Sequence, residues 1–166
     1  SWIVGAFQLA YTVFQPLCGW LIDVIGLKVG FMVCAIIWAL ACIFHAGASS
    51  WLQLAILRFT MGASEAAATP ANAKTLGEWF PKSERPVAAG WAGVGFSIGA
   101  MLAPPIIYFA HASFGWQGAF MFTGVLALVW VLLWWAFYYN PEKHPNLSKE
   151  ELAYIKQDNE APADRK

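Results

Sequence analysis

Long apolar stretches separated by short polar ones run through most of the chain. Five stretches, residues 2–22, 29–48, 52–73, 87–110 and 117–138, are each long enough to cross a bilayer as a helix. About 20 mainly apolar residues suffice, because a helix pairs its own backbone groups, and an unpaired one in hydrocarbon costs several kcal/mol. The connections are brief: "DVIGLK", "SSW", "KTLGEWFPKSERP" and "HASFGW". After Tyr139 the pattern changes. "NLSKEELAYIKQ" carries an S-x-x-E capping box, in which Ser148 caps a helix start and Glu151 reaches back, while Leu147 and Leu152 are spaced as a hydrophobic staple. This predicts a short amphipathic helix over about 149–157, with Leu152 and Ile155 turned toward lipid or protein. It lies within a polar segment, 140–166, whose end "NEAPADRK" is expected to lack order.

Composition agrees with lipid as the solvent. Of 166 residues, 59% are hydrophobic and 12% charged, against roughly 45–50% and about 25% in a soluble domain. Net charge is zero, so there is no basic surface of the kind nucleic-acid binding needs. Cys18, Cys34 and Cys42 lie in apolar runs without C-x-x-C spacing or a histidine at ligand spacing. They read as small packing residues, with no metal or cofactor implied. The chain opens inside an apolar run, without a Met, a charged leader or a cleavage site, and is expected to be a fragment whose upstream part is missing.

Basic residues test the number of spans, since Lys and Arg collect in short cytoplasmic loops. Lys28 follows the first span; Lys74, Lys82 and Arg85 follow the third; Lys143, Lys149, Lys156, Arg165 and Lys166 follow the fifth. The loops after spans two and four have none. Five helices with odd-numbered ends and the tail in the cytoplasm satisfy this alternation, which leaves only Arg58 unassigned.

Arg58 shares the third span with Glu65, seven positions on. That spacing puts both on nearly one face, about 10 Å apart along the axis. A charge facing lipid at mid-depth costs about 2.5–3.5 kcal/mol on insertion scales, so both should face protein or a watery cavity. Counted from the outer end, Glu65 falls near the midplane and Arg58 in the outer third. A purely structural ion pair is the plainer alternative, but buried pairs are often no more stabilising than apolar replacements. An ionisable group at this depth instead marks a pathway or relay. Burial favours a neutral Glu65 and a nearby cation a charged one, so alternating environments would let it bind and release a proton. The small residues of "GASEAAATPA" admit a close helix, and Pro70 is expected to bend the cytoplasmic end.

Gln8, Tyr11, Thr12 and Gln15 form a polar stripe on the first span at i, i+3, i+4 and i+7. It suits a hydroxyl-rich ligand or hydrogen bonds between helices. On the fourth span, Gly95 and Gly99 make a G-x-x-x-G contact, with Gly90 and Gly93 upstream and Pro104 and Pro105 kinking the outer end; Ser97 and Trp91 are candidates to line a cavity. The aromatic clusters "WVLLWWAFYY" and "GEWF" suit interfacial belts. A membrane-embedded enzyme would carry H-E-x-x-H or G-x-S-x-G, and neither occurs; His45, His111 and His144 sit at span ends or in the tail.

"GWLIDVIGLK" resembles the loop signature G-x-x-x-D-[RK]-x-G-x-[RK] of the major facilitator superfamily, matched at Gly19, Asp23, Gly26 and Lys28, with Val24 where a cation is usual. "LRFTMGASEAAATPANAKTLGEWFPKSERPVAAG" is similar to the fourth helix and following loop of its anion:cation symporter branch. "SIGAMLAPP" and "GWQGAFMFTG" look most like that branch's bacterial hexuronate transporters. The resemblance implies an all-α integral membrane protein. Its five spans would be helices two to six of the N-terminal six-helix half of a twelve-helix transporter, and the tail helix part of the central loop. It implies proton-coupled uptake of an organic anion, glucuronate or galacturonate, across the inner membrane. Arg58 and Glu65 would serve charge organisation and proton coupling, Tyr11, Gln15, Gln8 and Ser97 the substrate, and Gly19, Asp23, Gly26 and Lys28 a cytoplasmic gate lacking one salt bridge at Val24. Helix one, with its substrate-gripping arginine, and the C-terminal half lie outside the chain, so the fragment would not transport alone. Phe96 stands where related aldonate carriers have a pocket glutamine, which argues against that substrate class. Another carboxylate, or a non-transporting structural subunit, is the alternative.

Overall fold

The computed structural model describes residues 2–157; Arg165, Lys166 and the "NEAPADRK" stretch fall outside them. Six α-helices and one short 3-10 turn follow in order: α1 (Trp2–Ile25), α2 (Leu27–His45), α3 (Trp51–Glu65), α4 (Ala68–Trp79), α5 (Arg85–Phe137), the turn at Pro141–Lys143, and α6 (Lys149–Lys156). By length and composition, α2 and α5 are each apolar enough to cross a membrane.

Gly26 separates α1 from α2 at φ 89°, a left-handed conformation that costs a residue without Cβ nothing. Ser50 caps α3 by accepting from the Gln53 N–H at 3.2 Å, which satisfies one of the donors left open at a helix start. The third predicted span is not one helix. It breaks at Ala66 and Ala67, four and three residues before Pro70, and resumes as α4 to Trp79, beyond the expected end at residue 73. Proline has no N–H to donate to the Ala66 carbonyl, so the ladder fails there. Ala66 and Ala67 are fully buried, and only small residues let the broken turn pack against α1, where Cys18 Sγ approaches the Ala63 carbonyl at 3.3 Å.

The fourth and fifth predicted spans are joined without the expected loop. Helix continues through "HASF" to Phe114, and the only non-helical backbone inside α5 is Gly115, at φ 72° and ψ −178°. Straight, 53 residues would reach about 80 Å. Yet Arg85 at one end donates to the Gly77 carbonyl (2.8 Å), and Tyr138 just past the other donates to Glu78 (3.0 Å). The two ends meet on the same stretch of α4, so the chain doubles back at Gly115. Pro104 and Pro105 sit inside the helix without a break.

The core forms where α1, α2, α4 and Tyr138 meet, around Cys18, Ile22, Leu27, Phe31, Cys34, Ala67 and Ala71. The cysteines are free and buried, as packing residues would be. Gly62 sets the separation of α1 and α3: a Cβ there would run into the Phe7 carbonyl. The aromatic cluster near residue 134 is not simply a belt. Trp130 and Trp134 meet Phe31 edge-on at 5.4 and 5.3 Å along the seam of α2 with the second arm of α5. The first arm is bare, every residue from 89 to 109 except Ala92 being exposed. In the tail, the capping box of α6 forms as its spacing predicts.

Candidate functional site

Arg58 and Glu65 both lie on α3, half-buried. The ring that Arg58 meets, Phe120, stacks on His45 of α2, so Arg58 lies on the flank of α3 turned toward α2 and α5, and Glu65, seven positions on, shares nearly the same face. No salt bridge joins them among the described residues, and neither side chain has a hydrogen-bond partner there. The Arg58 guanidinium carbon sits 5.9 Å from the ring centroid of Phe120, on the second arm of α5. An aromatic face attracts a cation without occupying its N–H donors. The arrangement leaves a fork of donors and, about two turns deeper, a carboxylate, both free to engage an anion and a proton.

Tyr11 approaches that carboxylate's end of the helix. Its hydroxyl is 3.1 Å from Thr69 Oγ1 on α4, and its ring stacks on Phe7. Thr69 follows Glu65 by four positions across the helix break. The rest of the stripe is less engaged. Gln15 is half-buried and Gln8 exposed, and neither side chain makes a hydrogen bond among the described residues; Thr12 donates to the Gln8 carbonyl of its own helix. Ser97 stands apart on the bare arm, donating to the Gly93 carbonyl in an open apolar groove with Gly90, Val94, Ile98 and Met101.

At the other end, Asp23 is not left without a cation despite Val24. Lys74 of α4 reaches it at 2.6 Å and also donates to the Ile22 carbonyl at 3.4 Å. Gly19 faces Pro70 at the α1–α4 crossing. Lys28 lies over the rings of Trp135 and Tyr139, at 5.0 and 4.5 Å, while its carbonyl accepts from Trp134 Nε1. The signature residues therefore tie α1 and α2 to α4 and to the end of α5.

Three partners, Thr69, Phe120 and His45, are not among the site residues expected from the sequence. Thr69 had one signal, its i+4 relation to Glu65. Phe120 had none, since it meets Arg58 across 62 positions. His45, expected at a span end, is fully buried at the end of α2 and stacks on Phe120.

Comparison with known proteins agrees with this architecture. The Major Facilitator Superfamily model matches residues 1–162. The chain is similar to a galacturonate transporter of Dickeya chrysanthemi, 48% identical over 97% of this chain and 47% of that protein. It is similar to a hexuronate transporter of Escherichia coli (strain K12), 44% identical over 93% of this chain and 36% of that protein. A D-galactonate transporter of Escherichia coli O6:H1 is 31% identical over 94% and 36%. The chain thus spans half or less of the length of these curated relatives. Helical without strands over the described residues, broken just ahead of Pro70 within its third apolar stretch and folded back at Gly115, the chain belongs to the major facilitator superfamily.

Proposed function

We propose that the chain is part of a transporter that carries a hexuronate, glucuronate or galacturonate, together with protons across the bacterial inner membrane by alternating access. On this reading α1, α2, α3 with α4, and the two arms of α5 are the five spans, helices two to six of a twelve-helix protein. Residues 140–166 then form the cytoplasmic central loop. Helix one and the C-terminal half supply the remaining substrate contacts and cover the bare arm of α5, bringing Ser97 to the cavity with Tyr11, Gln15 and Gln8. No cofactor is required.

The observation that carries the reading is the unpaired Arg58 and Glu65 on a protein-facing flank. A brace would pair them. Accumulating a monoanion against an inside-negative potential costs about 2.3 kcal/mol per 100 mV, so uptake needs a coupled inward proton. Glu65, with neither a salt bridge nor a hydrogen bond among the described residues, is free to take that proton when outward-facing and release it to the cytoplasm. Asp23, Lys74, Lys28, Gly19 and Gly26 act at the cytoplasmic gate.

The substrates for which the 48% and 44% relatives are named support a hexuronate over the aldonate of the 31% relative, as does Phe96. The test is uptake of labelled glucuronate, galacturonate and galactonate into vesicles containing the full-length protein, with and without a pH gradient. Gradient-driven uptake of a hexuronate in preference to galactonate is expected. Equal uptake of all three, or none that responds to the gradient, contradicts the reading.

A further inference from the structure

His45 is fully buried, yet one of its ring nitrogens has no partner. Nδ1 lies 2.6 Å from the Ala41 carbonyl one turn back on α2. A carbonyl only accepts, so Nδ1 carries the proton and the neutral ring has its lone pair at Nε2. That atom is the one buried side-chain nitrogen or oxygen without a hydrogen bond among the described residues. A buried acceptor left open is costly, and packing alone would favour an apolar side chain.

What the imidazole does offer is a flat face. It stacks on Phe120 with centroids 5.0 Å apart and planes 13° from parallel. Trp116 meets the same phenyl ring edge-on at 6.3 Å, and the Phe120 carbonyl accepts from Cys42 Sγ at 3.6 Å. Phe120 is thus gripped through both backbone and ring by α2, and it is the ring on which the Arg58 guanidinium rests. Three elements, α2, α3 and the second arm of α5, converge on one phenyl group.

We propose that His45 is a positioning residue for Arg58, acting through Phe120. The flat imidazole backs the phenyl ring, and the phenyl holds the guanidinium with its donors open. The consequence for anion affinity rests on the reading of Arg58 given above; the positioning itself does not.

The experiment uses the full-length protein labelled with ¹⁵N-arginine, the Arg58 side-chain resonance being assigned by its loss in Arg58→Lys. The Phe120 ring should displace the Arg58 Nε–H resonance upfield. His45→Leu, which keeps bulk and removes the flat face, should abolish the displacement, and His45→Phe, which restores a flat ring, should keep it. His45→Met serves in place of His45→Leu where that variant does not fold. In vesicles, KM for glucuronate should rise about fivefold in His45→Leu and stay within about twofold in His45→Phe, with the maximal rate little changed. An Arg58 resonance unmoved in His45→Leu, or lost equally in His45→Phe, overturns the proposal. A resonance that behaves as expected while KM stays constant supports the positioning and refutes the anion-binding role of Arg58.

Discussion

Lys74 Nζ lies 2.6 Å from Asp23 Oδ1, joining the C-terminal end of α1 to α4 one turn beyond Pro70. Val24 leaves the signature loop one cation short, and Lys74 meets the Asp23 carboxylate from a different helix. Asp23 is 71% exposed, so the pair should contribute under about 1 kcal/mol to stability. Lys74→Met is therefore expected to shift the unfolding midpoint of the detergent-solubilised full-length protein only slightly while lowering its transport rate. The double exchange Asp23→Lys with Lys74→Asp should recover part of that rate. No change in rate for Lys74→Met would remove the pair from the gate.

Gly62 permits the approach of α3 to α1. Any side chain there meets the Phe7 carbonyl, which is backbone and cannot swing aside. Gly62→Leu should destabilise the protein by about 1–3 kcal/mol or more, read as a lowered thermal midpoint. Gly77, with nothing within 4 Å of its Cβ position, is the control for the space effect alone, and Gly77→Ala should show no such loss.

Among the described residues the N–H donors of Arg58 are open, over an aromatic face. A planar fork engages a carboxylate at two points, whereas an ammonium acts as a point charge. Arg58→Gln should therefore raise KM for a hexuronate by tenfold or more, and Arg58→Lys by a smaller factor, about three- to tenfold, since a bonded charge is worth roughly 1.5–3 kcal/mol. Ligand-induced thermal stabilisation should follow the same order. Equal KM in all three proteins would contradict a substrate role.

The tail helix gives a pH prediction. The Ser148 backbone N–H, with the Ser148 side chain, holds the Glu151 carboxyl below the usual carboxylate range, and a hydrogen bond from Lys156 does the same for Glu142. A carboxyl depressed by folding stabilises the fold above its ordinary value, and that contribution is lost as pH falls through the folded one. Protection of α6 from hydrogen exchange should accordingly be high at pH 7 and fall below about pH 4. Ser148→Ala should speed exchange about fivefold already at neutral pH. Exchange in α6 that is indifferent to both acid and Ser148→Ala would show that the cap does not hold it.

The helical character of the chain is legible from apolar length, because lipid forces helices. The capping box at Ser148 is legible for a local reason: its partners are three residues apart. The break at Ala66 is half legible, since Pro70 announces a disturbance but not that the helix resumes to Trp79. The turn at Gly115 is hidden by neighbours that are good helix formers, and it shows only through ends that meet at Gly77 and Glu78. Long-range partners are the least legible. Nothing local to Arg58 specifies Phe120, and nothing local to Asp23 specifies Lys74, because helix packing chooses them.

The central claim is that Glu65 carries the coupled proton, and Glu65→Gln in the full-length protein tests it most directly. Its uptake of labelled glucuronate into vesicles should be compared under an inward proton gradient and under substrate-for-substrate exchange without one. The account predicts that gradient-driven accumulation is lost while exchange persists near the wild-type rate. Accumulation that continues undiminished in Glu65→Gln would contradict it.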